Sequence, residues 1–149
     1  NKQNQNKMKV KFTTSKGDMI AELYKGATPN TVANFVKLIK EGFYNNMIFH
    51  RVIPDFMVQG GCPQGTGQGG SGTKILCEHR GADLQTHDRG VLSMAHAGPN
   101  TGSSQFFICH NRRGTQHLDG VHTAFGKVTE GLDILNQISQ GDSFSISLI

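Results

Sequence analysis

The chain has 149 residues, with 15 Lys and Arg against 11 Asp and Glu, and 19 Gly against 4 Pro. That length suits one domain with a real core, and the glycine count implies many turns without the marks of disorder. No stretch approaches the roughly 20 apolar residues of a membrane-crossing helix, and the net charge of +4 comes largely from scattered lysines with no interleaved aromatics, a solvated basic surface rather than a nucleic-acid face.

The polar stretch Asn1–Lys7 is expected to be a floppy tail, and residues 8–149 a single domain. A start at Asn1 rather than Met leaves a leader or tag open, and Met8 is itself a candidate start. Met8, Val10 and Phe12 alternate with Lys9 and Lys11; Ser15–Asp18 turns the chain, and Met19–Tyr24 returns as a partner strand. Thr28 is the expected N-cap and Pro29 the first residue of a helix. Val32, Phe35, Val36 and Ile39 then form an apolar stripe, which Gly42 stops. One amphipathic helix between hairpins suits the open end of a barrel.

The densest chemistry lies in Phe49–Gly61. Alternation places Phe49, Arg51 and Ile53 on one strand face, with Met57 and Gln59 sharing a face of the next strand. A guanidinium is always charged and presents five donors, so Arg51 in this apolar block either meets a carboxylate or lines a cleft. Phe56, Met57 and Gln59 beside it favour the cleft. The pair Gly60-Gly61 is expected to let the backbone leave the sheet.

Residues 62–74 contain Gly65-Thr66-Gly67-Gln68-Gly69-Gly70, which satisfies a dinucleotide-type spacing, and Gly67–Lys74 nearly satisfies a phosphate loop with Thr and Lys reversed. Both motifs need a following helix, whereas Ile75–Glu78 is strand-like. Nucleotide binding through Gly65–Lys74 is therefore only a third hypothesis. Gly90–Ala95 and Gln105–Cys109 are strands around a long turn, Thr123–Val128 is a core strand, and Leu132, Leu135 and Ile138 mark a short helix. Ser143–Ile149 alternates and closes the sheet. Cys62, Cys77 and Cys109 are widely spaced and odd in number, as in reduced thiols. Seven histidines show no metal-ligand spacing, although His117 and His122 flank an Asp-Gly turn and could share a cavity wall. No nucleophile elbow is present either.

Two segments resemble the cyclophilins, the peptidyl-prolyl cis-trans isomerases: Phe49-His50-Arg51-Val52-Ile53-Pro54-Asp55-Phe56-Met57-Val58-Gln59-Gly60-Gly61, and Met94 through Ile108 with its Ala-Gly-Pro-Asn-Thr and Ser-Gln-Phe-Phe-Ile runs. His117-Leu118-Asp119-Gly120-Val121-His122 is similar to a third family segment, with His117 where tryptophan is frequent. The resemblance covers residues 8–149 and is closest to small bacterial-type cyclophilins. It implies a mainly β fold, a closed eight-stranded antiparallel barrel capped by two α-helices, and an isomerase of X-Pro bonds that assists protein folding. Arg51, Phe56, Gln59 and His122 would be catalytic. Phe56, Met57, Phe107 and Leu118, edged by His122, would hold the proline ring. Gln59 and the His96 backbone would grip the peptide, Ala95, Ala97 and Gln105 would line the floor, and Gly65 to Gly67 would edge the neighbouring pocket. Gln105 would orient Arg51 or the substrate carbonyl. His117 would lie at the rim and weaken affinity for the drug cyclosporin. No cofactor or metal is implied. The partners would be proline-containing peptides and folding proteins, with no nucleic acid or membrane, and the protein a cytoplasmic monomer. The alternative is a non-catalytic proline-peptide binding module using the same cleft.

Overall fold

The alternating first hairpin forms as its pattern dictates, and everything else is laid against it. The computed structural model describes residues 7–149, with side chains from Met8 onward, so Asn1–Asn6 of the expected tail lie outside the described residues. Lys7 already opens β1 (Lys7–Thr14), which pairs with β2 (Gly17–Tyr24) so that Thr14 faces Gly17 and Lys7 faces Tyr24. Val10 and Phe12 are fully buried between them and the rest of the core.

The remaining elements are α1 (Pro29–Lys40), β3 (Met47–Ile48), β4 (Arg51–Ile53), β5 (Met57–Gly60), β6 (Val91–Met94), β7 (Phe106–Cys109), α2 (Arg112–Thr115) with a tight turn over Gln116–Leu118, β8 (Ala124–Glu130), α3 (Leu132–Leu135) and β9 (Ser143–Leu148). The strands form one curled, antiparallel sheet in the order β3-β9-β1-β2-β8-β6-β7-β5-β4. The sheet has nine strands where eight were expected, because a continuous stretch of chain is split at Phe49-His50 into β3 and β4. These two strands stand at opposite ends of the strand order, so the chain itself links one end of the sheet to the other. Phe49 N donates to Asp142 O and accepts at its own carbonyl from Gly141 N, both at 2.9 Å.

The split also resets the alternation. Phe49 turns inward and stacks on Phe144, with centroids 4.3 Å apart and rings 29° from parallel. Val52 packs against the same core, whereas Arg51 is exposed and Ile53 joins a separate apolar cluster. Phe49 therefore does not share a face with Arg51 and Ile53. Phe106 sits at the centre of the main core, its ring within 5.8 Å of Phe12, Phe35, Tyr44 and Phe144. Of the glycine pair, Gly61 has a positive φ of 95°. Gly60 stays in β5, where the Phe144 and Phe49 rings leave no room for a Cβ.

The α1 stripe is buried as expected, but its cap is not the one the sequence suggests. Thr28 makes no side-chain cap bond, and its hydroxyl donates back to Tyr24 O at 3.2 Å. The cap comes from Glu78, whose carboxylate accepts from Asn30 N at 3.2 Å, Thr31 N at 2.5 Å and Thr31 Oγ1 at 2.6 Å. A carboxylate satisfies the orphan amides and opposes the positive end of the helix dipole. The expected second helix amounts to the single turn α3, which still buries Leu135 and, just beyond it, Ile138. Ile75–Glu78, strand-like in sequence, makes only an isolated bridge, Ile75 to Gly102. Among the described residues no helix is long and apolar enough to cross a membrane.

Candidate functional site

Strands β4, β5, β7 and β6 lie side by side, and their register aligns the polar and aromatic residues of interest. Arg51 pairs with Gln59, Gln59 with Phe107, and Phe107 with Ser93. Residues directly opposite in a ladder project to the same side, so Arg51, Gln59 and Phe107 form one row on the outer face of the sheet. Along the strands, Ile53, Met57 and Cys109 form the next row. Met57, Phe107 and Leu118 are buried in this second apolar cluster, with half-buried Phe56 and Ala95 packed against them. Phe56 falls in the turn rather than in β5: its amide donates to Ile53 O at 3.0 Å and Asp55 takes a positive φ of 63°.

None of the Gln105 side-chain hydrogen bonds goes to Arg51. Gln105 Oε1 accepts from Gln59 Nε2 at 3.0 Å, and its own Nε2 donates to the carbonyls of Gly67 and Gly69 at 2.9 and 2.8 Å. That side chain therefore joins the Gln59 amide to the glycine-rich loop. Beside it opens a groove of about 460 Å³, whose walls include Gln59, Gly67 to Gly70, Ala95, His96, Ala97, Thr101 and Ser103. Gly65 is not among them; its Cα points its missing Cβ toward Ile48, 3.1 Å away. Of the expected edge Gly67 lines the groove, joined by Gly69 and Gly70. Arg51 pairs with no carboxylate among the described residues.

The histidines divide. His122 stands edge-on to Phe107, centroids 5.4 Å apart, and stacks on His96 at 4.1 Å. Its Nδ1 is 2.9 Å from Met94 O, so Nδ1 carries the proton and donates. Burial pushes its pKa down to about 4, against the opposing pull of that bond, and the ring is neutral. His96 donates from Nε2 to Val121 O at 2.9 Å. His117 is on the other rim, stacked on Phe56 with centroids 5.8 Å apart. The two histidines of the Asp-Gly turn thus sit against different aromatic rings. His50 titrates below its ordinary range, through burial and then the Arg51 charge.

Sequence reading missed a chain of polar groups beneath the site that runs from buried Ser93 and His87 to part-exposed Asp119 and Arg112. His87 is fully buried and its ring lies nearly parallel to Phe107, 6.2 Å away. Its Nδ1 is 2.9 Å from Asp119 Oδ1 and its Nε2 2.7 Å from Ser93 Oγ. A carboxylate can only accept, so Nδ1 donates to Asp119, while the Ser93 hydroxyl stands between Nε2 and the Thr123 carbonyl, 3.1 Å away. Arg112 closes the chain, with Nη2 2.7 Å from Asp119 Oδ2. The Arg112 hydrogen bond, with help from His87 and against burial, takes the Asp119 carboxyl down to about 2. Nothing in spacing marks these partners, since 32 residues separate His87 from Asp119.

Residues 9–146 match the family profile described as cyclophilin type peptidyl-prolyl cis-trans isomerase. The chain is 60% identical over 121 residues to peptidyl-prolyl cis-trans isomerase B of Bacillus subtilis, covering 81% of this chain and 82% of that one. It is 54% identical over 131 residues to a Helicobacter pylori peptidyl-prolyl cis-trans isomerase, covering 87% and 78% respectively. A crystal structure of a Cryptosporidium parvum cyclophilin type peptidyl-prolyl cis-trans isomerase in the presence of the dipeptide Ala-Pro superposes with a TM-score of 0.85 at 35% identity, covering 95% of this chain and 98% of that one.

Proposed function

The chain belongs to the cyclophilin-type peptidyl-prolyl cis-trans isomerases, and from that membership we propose how its own residues turn the X-Pro bond. It is an enzyme of the isomerase class, and proline-containing peptides are its ligands.

The barrier to the rotation, about 20 kcal/mol, is the conjugation lost when the amide twists. Accelerating it about 10⁵-fold requires roughly 7 kcal/mol of preferential binding to the twisted form. In that form the prolyl nitrogen becomes pyramidal and regains a lone pair. A fixed cationic donor aimed at it stabilises the transition state with no proton transfer. Arg51 has that role in our reading. Phe56, Met57, Phe107 and Leu118 seat the pyrrolidine ring, with neutral His122 at its edge. Gln59, oriented by Gln105, and the His96 backbone hold the peptide, while Ala95 and Ala97 shape the floor. One hydrogen bond is worth less than 7 kcal/mol, so desolvation in the apolar seat and anchoring of the chain supply the rest.

The observation that carries this reading is the row Arg51–Gln59–Phe107, a cation without a carboxylate partner among the described residues, beside an apolar cluster. A protease-coupled assay on an Ala-Pro peptide with Arg51→Ala tests it, and retained turnover would remove Arg51 from the mechanism. Residues 8–149 act as one domain in this reading, as a monomer in a reducing cytoplasm, where three unpaired cysteines are at ease. His117, exposed beside Phe56, weakens cyclosporin binding relative to a tryptophan because it offers less apolar surface.

A further inference from the structure

The glycine-rich loop is held from two sides at the same two residues. Gln105 Nε2 takes the carbonyls of Gly67 and Gly69. The amides of those same glycines both donate to Cys62 Sγ, at 3.3 Å each. Cys62 is 2% exposed, and its sulfur also has Gln64 Oε1 at 3.6 Å. Gly65 and Gly67 adopt positive φ, the conformation that lets nearby amides converge on one acceptor. Burial raises the thiol, but the amides of Gly69, Gly67, Thr66 and Gln64 outweigh it and bring it down to about 7. The loop so pinned is one wall of the 460 Å³ groove, and Ala95 belongs both to that groove and to the apolar cluster under the proline seat. In an extended peptide, residues two apart face the same side. With proline seated over Met57 and Phe107, the side chain two residues before it is therefore aimed at the groove. This step rests on the isomerase reading.

We propose that Cys62 is a specificity-setting positioning residue: its sulfur, accepting from Gly67 and Gly69, fixes the groove wall that receives the side chain two residues before proline. A thiolate accepts more strongly than a thiol, so the wall is firmest where the sulfur is ionised. The other charged or titratable groups facing the loop or its groove are His50, whose ring is 3.5 Å from where a Gly67 Cβ would stand, Arg51 beside it, and Lys74 and His96 in the groove. Burial and then the Arg51 charge lower the His50 pKa, against a Gln105 hydrogen bond.

The test is a protease-coupled assay on tetrapeptides X-Ala-Pro-Phe, with X glycine, leucine or glutamine, between about pH 6 and pH 8. Wild type, Cys62→Ala and Cys62→Asp are compared, with thermal unfolding of each. In wild type the discrimination between X side chains sharpens as pH rises. In Cys62→Ala, which loses both amide bonds to the sulfur, it falls about fivefold, through KM rather than kcat. In Cys62→Asp, whose anion is present throughout, it is retained and flat with pH. Equal losses in both variants, or a uniform fall in kcat for every peptide, would overturn the proposal. An active wild type with discrimination unchanged in Cys62→Ala also sinks it alone; an inactive wild type sinks the isomerase reading as well.

Discussion

Arg51 stands directly across the β4–β5 ladder from Gln59, which in turn faces Phe107 across β5–β7. The guanidinium, the amide proposed to grip the peptide and the ring proposed to underlie proline are thus placed by backbone pairing rather than by loops. Arg51→Ala should lower kcat/KM by about two to three decades, as loss of a transition-state donor does. Peptide affinity measured by calorimetry should change only a few-fold. Arg51→Lys keeps the charge but not the fork, and intermediate activity is expected.

Gln105 makes three hydrogen bonds that join Gln59 to the loop. Gln105→Leu keeps the bulk and removes all of them. The expected result is about a tenfold fall in kcat/KM, carried mainly by KM, because binding geometry loosens while Arg51 stays in place. Steady-state kinetics on one Ala-Pro peptide separate the two parameters.

Glu78→Gln removes the charge that caps α1 but leaves an acceptor, whereas Glu78→Ala removes both. Losses of roughly 1 and 2 kcal/mol are expected, in that order, read from denaturant midpoints. Thr28→Ala should cost less than either, because its hydroxyl caps nothing.

His122, held neutral with a pKa near 4, makes the folded protein resist protonation that the unfolded chain accepts. Stability therefore falls as pH drops from the ordinary histidine range near 6.5 through about 4. His50 and His87 are also lowered, mainly by burial, and act in the same direction. Asp119 adds a later loss, since its contribution is present above the ordinary carboxylate range and disappears as pH falls through about 2. Urea midpoints across pH 7 to 4 should decline less steeply in His122→Gln than in wild type.

His117→Trp should tighten cyclosporin binding by about tenfold or more through added apolar area over Phe56, without a comparable change in turnover. Titration of the drug against isomerase activity in both proteins decides it.

Local pattern carried much of this fold. Alternation marked the hairpins and the 3.6-residue stripe marked α1, because each needs only neighbours in the chain. What escaped depended on distant partners. Glu78 caps α1 from 47 residues away, so the Thr28-Pro29 signal named the helix start but the wrong cap. Phe49 departs from the alternation because the strand breaks at Phe49-His50 and its ring stacks on distant Phe144. The segments Phe49–Gly61 and Met94–Ile108 carry the row from Arg51 to Phe107 in plain sequence, whereas the Gln105 contacts exist only once the loop is folded over it.

The two residues Phe49 and His50 span what would otherwise be a seam. A protease nick there would turn a continuous belt into an open ribbon, with the short β3 and β4 left as loose margins. Exposed margins of that kind recruit other chains, so self-association, rather than simple loss of activity, is the failure to expect from damage at that point.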